Sequence, residues 1–203
     1  MRTLLIESTP NAAGSVAGTL DAAGHDVVRC HGEGAPTFPC SGLTAEGCPI
    51  EAHGPIDVAI AVHAGAGAEP TAREAGATCA ARSGIPLVVL GAGDDHPFEA
   101  WAETCDDPAQ LPQAVDRAIA GIAARRASPL VAEARRVLAV EGVDAGEVRV
   151  EIQRDGDTAH ILVRTEHALD EAVANRVATR VHAVDQQGSW PTSKVGVAVG
   201  RLA

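Results

Sequence analysis

The strongest constraint on this chain lies in residues 2–30, RTLLIESTPNAAGSVAGTLDAAGHDVVRC, where an apolar run, a turn, a helical period and a second strand follow one another directly. Thr3, Leu4, Leu5 and Ile6 form an uninterrupted run, the pattern of a parallel strand buried on both faces. Pro10 and Asn11 break it. Val16, Ala17, Leu20 and Ala23 then recur at helical spacing until Gly24 supplies a stop, and Asp26 to Arg29 restart the chain as a strand. A helix joining two strands this closely predicts a right-handed crossover between parallel neighbours.

The same alternation continues. Ile56 to Val62 and Ile85 to Leu90 are further apolar runs, with Thr71 to Ser83 reading as the helix between them. Pro97 to Trp101 reads as a short helix and Ala102 to Cys105 as a short fifth strand. Asp107 is placed to cap a helix over Pro108 to Arg125, with proline at its first position. This order predicts an α/β fold with a doubly wound five-stranded parallel sheet of order 2-1-3-4-5, with ligand sites at the carboxyl ends of strands one and three. A generic Rossmann-like half domain is the architectural alternative.

The alternation stops at Ala127 to Pro129. Beyond it come a helix over Val131 to Val140, a hairpin of Glu147 to Gln153 and Ala159 to Arg164 around Asp155-Gly156, a helix over Leu169 to Val184, and a strand from Val195 to Val199. The expected organisation is therefore a domain over residues 1–126, with an irregular insert at 30–55, and a small α+β domain over 128–203.

Composition narrows the function. Hydrophobic residues make up 46% of the 203, but aromatics only 2% with no tyrosine, so the core is aliphatic and few rings exist for a flavin or a base to stack on. A formal net charge of -11 repels polyphosphates, which argues against nucleic acid and anionic membrane as partners. No apolar run approaches the roughly 18 residues of a membrane span. The chain opens without the basic and apolar regions of a secretory leader, so the expectation is a cytoplasmic protein whose five cysteines are reduced unless a metal holds them.

Leu4-Leu5-Ile6 before Glu7 and Ser8, then Pro10, then Gly24-His25-Asp26-Val27-Val28, resemble the opening of a response-regulator receiver domain. Working receivers hold magnesium with carboxylates after strand one, and accept the phosphoryl group on an aspartate ending strand three. They also need a hydroxyl after strand four and a lysine after strand five, the metal and the lysine neutralising the phosphoryl oxygens. Here those positions fall on Glu7 and Ser8, on Val62, near Gly91 and near Thr104. The resemblance therefore implies a receiver-like domain unable to transfer phosphate, with Asp57 opening strand three instead of accepting a phosphoryl group. Lys194, the sole lysine, lies in the second domain. That domain is similar to the alkaline-shock protein family through Glu141-Gly142-Val143, the strand Val148 to Ile152 and the strand Val195 to Val199. This similarity implies assembly or scaffolding with a protein partner or a second copy.

A flavodoxin-like cofactor- or nucleotide-binding protein, or an enzyme of that fold, is the rival reading. Ser8-Thr9-Pro10-Asn11 resembles a phosphate loop ahead of a helix, although the spacing to Gly24-His25 is short and flanking aromatics are absent. The loop His63 to Ala68 is rich in Gly and Ala but carries no lysine and is not a Walker motif.

The insert holds Cys30, Cys40 and Cys48, flanked by His31 and His53. Three thiolates and an imidazole close a tetrahedral zinc site, and cysteines alone hold iron–sulfur clusters, so Cys30, Cys40, Cys48 and His53 are the candidate ligands. An irregular segment of this length also needs something to order it. The spacing lacks a Cys-x-x-Cys pair, which leaves ordinary reduced cysteines or a redox disulfide as alternatives. Cys79 reads as helix core and Cys105 as the end of strand five, away from Cys30. His96, His160, His167 and His182 read as surface residues, and Glu7 with Asp94-Asp95 as a weaker acid/base set. The resulting expectation is a non-catalytic regulatory or scaffold protein that senses metal or redox state through its cysteine loop.

Overall fold

The computed structural model describes residues 1–32, 34–45, 47–64, 69–93, 96–190 and 192–202. The chain divides into two compact units, Met1–Ile122 and Ala123–Ala203.

In the first unit, strands β1 (Arg2–Glu7), β2 (Asp26–Arg29), β3 (Val58–Val62), β4 (Leu87–Leu90) and β5 (Glu103–Cys105) form one all-parallel sheet of order β2-β1-β3-β4-β5. The order reverses between β1 and β3, whose last residues Glu7 and Val62 are register partners. Helix α1 (Gly14–Ala22) supplies the first crossover. The insert after β2 is less irregular than its sequence suggests. It contains a 3-10 turn at Ser41–Leu43 and a single helical turn, α2 (Pro49–Ala52), started by a proline at its first position. Helix α3 (Ala75–Arg82) follows β3, preceded by a 3-10 turn at Ala72–Glu74.

Alternate residues of each strand feed two cores. Leu5, Val58, Ile60, Val62, Val88 and Leu90 pack on one face with α1, while Leu4, Ile6, Ala59, Ala61, Leu87 and Val89 pack on the other with Ala77 and Ala80 of α3. Each large aliphatic side chain so buried contributes about 1.5–3 kcal/mol. The small residues of β3 meet small residues of α3, which brings that helix close to the sheet. A methyl group at Gly76 would stand 2.5 Å from the Cys30 sulfur and 3.3 Å from Ile6 Cγ1.

Two sequence expectations are corrected. Pro97 to Trp101 forms tight turns, closed by Glu99 N–H to the His96 carbonyl and Trp101 N–H to the Phe98 carbonyl, and no helix. The helix opened by Asp107, whose Oδ1 accepts from Ala109 N–H at 2.8 Å, does not stop at Arg125 but merges with the one expected from Val131. It runs as α4 (Leu111–Val140) with Pro129 inside it. An internal proline deletes one helical hydrogen bond and costs about 3 kcal/mol. Burial of Leu130, Ala134, Val137 and Leu138 on the next turns offsets that cost. The boundary between units accordingly falls within a helix, where no break in period marks it.

In the second unit, β6 (Val148–Asp155) and β7 (Thr158–Thr165) form an antiparallel hairpin, and α5 (Glu171–Asp185) crosses over to β8 (Lys194–Arg201), parallel to β7. Asp170 caps α5 by accepting from Val173 N–H at 2.8 Å. Val148, Ile161, Val163, Val173, Val177 and Val181 make its core. Among the described residues no helix is long and apolar enough to cross a membrane.

Candidate functional site

The polar residues buried in the first unit gather where β1, β3 and β4 end. Glu7 closes β1 and Ser8 follows it; His63 follows β3; Gly91 follows β4. Gly91 has φ 77, and a methyl group there would stand 2.7 Å from the His63 carbonyl oxygen, so only glycine lets the β4 exit pass this close to the β3 exit. Ser8 is fixed from two sides: its Oγ accepts from Ala64 N–H at 2.7 Å, and its carbonyl accepts from Thr71 Oγ1 at 2.7 Å.

Thr71 and Glu74 form a capping box at the start of the α3 segment, and Thr71 N–H donates to Glu74 Oε2 at 2.7 Å. That contact folds the Glu74 side chain back toward the strand ends. Its other oxygen, Oε1, meets His63 Nδ1 at 2.9 Å. His96 stands beside them, its ring edge-to-face with His63 at 5.2 Å between centroids. One ligand atom from each of His63, Glu74 and His96 lies within 4.8 Å of the other two, and all three residues are buried, at 8%, 0% and 2% exposure.

The electrostatics suit a cation. A fully buried carboxylate needs a positive partner, and among the described residues the Glu74 carboxylate bonds a histidine and a backbone amide, with no arginine or lysine. Burial pushes the His96 imidazolium down from its ordinary pKa, with the nearby His63 adding to the effect, so His96 is neutral at pH 7 and available as a ligand. Its Nδ1 takes a long 3.4 Å contact from Phe98 N–H, and its Nε2 has no hydrogen-bond partner among the described residues. A buried ring nitrogen without a partner costs about 1–3 kcal/mol, and a bound metal would remove that cost. Two imidazoles and one carboxylate are the donor set of a zinc site with one position left open.

Next to this group, toward β2, lies a second polar set. Arg73 Nη2 donates to Glu7 Oε1 at 2.9 Å and Arg73 Nη1 to the Ala35 carbonyl at 2.7 Å. Glu7 Oε2 has no hydrogen bond among the described residues, with Arg29 Nη1 at 3.8 Å its ion-pair neighbour. His31 is buried here, and its pKa falls through burial and the Arg73 charge.

The ligands expected from the insert are placed unequally. Cys30 is buried at the end of β2, and Cys40 and Cys48 are half-exposed on either side of the Ser41–Leu43 turn. His53 is exposed at the opposite, amino edge of the sheet, where its carbonyl accepts from the Arg2 guanidinium. Cys79, expected in the core, is exposed on α3. Cys105 is buried on the sheet face opposite Cys30. Asp57 does open β3, its Oδ2 accepting from Arg2 N–H at 2.7 Å. His160, His167 and His182 are exposed, but His96 is buried, because the turn after β4 folds it under Phe98. Residues 65–68 of the glycine-rich loop and Asp94-Asp95 lie outside the described residues.

Nothing in the sequence reading pairs Glu74 or His96 with His63. Two signals point that way: Thr71-Ala72-Arg73-Glu74 is a legible capping box, and His63 and His96 each follow an apolar strand. The chain matches no family model, no curated protein and no solved structure.

Proposed function

We propose that this protein is a metal-binding regulatory protein: a receiver-like domain without phosphotransfer residues that takes a divalent cation at His63, Glu74 and His96, joined to a small α+β unit that associates with a protein partner or a second copy. The observation that carries this reading is the triad of imidazole and carboxylate donors, buried together at the carboxyl edge, with a His96 nitrogen that has no hydrogen-bond partner among the described residues. A cation there replaces the proton shared by His63 and Glu74, so binding releases protons and weakens as pH falls. Because the three ligands come from the exits of β3 and β4 and from the start of the α3 segment, occupancy ties those exits together, which is a physical route from metal level to surface shape. On this reading metal sensing belongs to the strand ends.

A metal-assisted hydrolytic enzyme is the second reading. It is favoured by the open fourth position of a His-Glu-His set and by the adjacent Arg73, which offers a positive group for an anionic substrate.

Equilibrium dialysis against zinc, followed by elemental analysis, tests the proposal. Wild-type protein is expected to hold one equivalent that His96→Ala and Glu74→Gln each lose. Equal zinc in wild type and both variants would overturn it.

A further inference from the structure

We propose that the second unit dimerises through its last strand: β8 pairs antiparallel with β8 of a second copy, joining two three-stranded sheets into one of six strands. On the reading of this unit as an association module, on which this rests, β8 is the edge and a second copy the occupant. In the order β6-β7-β8 each outer strand has a neighbour on one side only. The ladder fixes which groups of β8 face outward. Lys194 N–H donates to the Asp157 carbonyl at 3.2 Å and Leu202 N–H to the Thr165 carbonyl at 2.8 Å, and the register from Thr158–Lys194 to Thr165–Arg201 runs without a break. A parallel ladder engages the main chain of alternate residues, so the even-numbered residues of β8 face β7. Among the described residues the N–H and C=O groups of Val195, Val197 and Val199 therefore point away from the sheet in a row.

The two edges differ in what protects them. β6 carries charges of both signs along its length, with Arg149 on Glu147 at 2.7 Å and Glu151 on Arg164 of β7 at 3.1 Å, and a charged edge resists pairing. β8 has no charged residue between Lys194 and Arg201. The helical layer also stops short of it. Ala159, Ile161 and Val163 of β7 are buried, whereas their register partners Val195, Val197 and Val199 on the same face are only half-buried. An apolar margin thus runs beside the outward main-chain groups, and the small Gly196 and Ala198 keep the opposite face low. The occupant follows from the order of the side chains. Val195-Gly196-Val197-Ala198-Val199 alternates valine with a small residue and reads nearly the same in both directions about Val197. A two-fold interface needs such a self-complementary surface. Centred on Val197, the pairing sets Val195 against Val199 of the second copy, Gly196 against Ala198 and Lys194 against Gly200. Valines then meet valines on the helix-covered face, no like charges lie directly opposite, and the two Val197 residues exchange both main-chain hydrogen bonds.

The test is sedimentation velocity of the full chain combined with amide hydrogen exchange. The chain is expected to sediment at twice the 20.7 kDa of a single copy and to fall to one copy on dilution. In the dimer the amides of Val195, Val197 and Val199 exchange slowly, and dilution removes that protection while Gly196, Ala198 and Gly200, bonded to β7, stay slow. Val197→Pro deletes an outward N–H without touching a bond to β7 and is expected to be monomeric; Gln153→Lys on the β6 edge stays dimeric. Should circular dichroism show the proline variant unfolded, Ala198→Lys, which adds a charge at an exposed position beside the two-fold axis, is expected to weaken the dimer instead. A monomer at every concentration overturns the second copy as occupant, and association then rests on a different protein. A dimer that survives both variants, or in which the three valine amides stay fast, overturns the edge while self-association stands. Growth beyond two copies overturns the two-fold pairing. Zinc held at His63, Glu74 and His96 is read by dialysis in every variant, so the metal reading fails or stands separately.

Discussion

Among the described residues each unit buries an arginine–carboxylate pair, and the two pairs are used differently. In the second unit Arg126 grips Asp185 with two parallel bonds, Nε to Oδ1 at 2.7 Å and Nη2 to Oδ2 at 2.8 Å, while its guanidinium lies 5.3 Å from the centre of the Trp190 ring. Both carboxylate oxygens are engaged. In the first unit, among the described residues, Arg73 reaches Glu7 through one bond, and Glu7 Oε2 and Arg73 Nε are buried with no hydrogen-bond partner. A completed pair locks α4 and α5 of its own unit together. An incomplete pair beside three buried histidines leaves donors and acceptors for something else, and that is where function is expected.

Breaking the completed pair gives the largest effect. Asp185→Asn leaves Arg126 charged and buried, and is expected to cost about 3–5 kcal/mol of unfolding free energy, read from the urea midpoint by tryptophan fluorescence. Glu7→Gln removes a single charged hydrogen bond and is expected to cost less, about 1.5–3 kcal/mol, in the same assay. Equal losses in the two variants would erase the distinction between the pairs. Gly76→Ala forces a methyl group onto Cys30 and Ile6, with an expected cost of about 1–3 kcal/mol in the same urea assay.

Acid should sharpen the contrast. His31 and His96 at the carboxyl edge titrate below the ordinary histidine value of 6.5 because burial disfavours their charged forms. The unfolded chain therefore takes up these protons first as pH falls. Stability is full above about 6.5 and declines below it toward the native values, by about 1.4 kcal/mol for each tenfold difference in proton affinity between the folded and unfolded chain. Thermal melts between about pH 7.5 and about pH 5.5 should show the decline, and His96→Asn should flatten part of it. An unchanged slope in that variant would sink the assignment to His96. The smallest effect is a gain: Gly18, on the exposed side of α1 with nothing within 4 Å of a methyl position, should stabilise by about 0.5–1 kcal/mol as alanine.

The amino edge of the same sheet explains why only part of the site is legible in sequence. There Arg2 binds Asp26 and Asp57, and the buried Thr3 bonds His25, contacts that close the strand starts. Polar residues at both edges look alike in sequence, since each simply flanks an apolar run. For this reason the sequence reading puts His96 on the surface and Cys79 in the core, the reverse of what the fold does. Their burial is set by what folds over them, Phe98 in one case and open solvent in the other.

By itself the sequence determined the five parallel strands, their order, the two faces of the sheet and the existence of a second sheet. Apolar runs, helical spacing, and a cap such as Asp107 act within a few residues of themselves. Only the tertiary structure decided that His63, Glu74 and His96 converge, that Cys79 is exposed while His96 is buried, and that α4 continues through Pro129. Those outcomes depend on strand register, close helix approach and burial gained at distant residues, which no local period encodes.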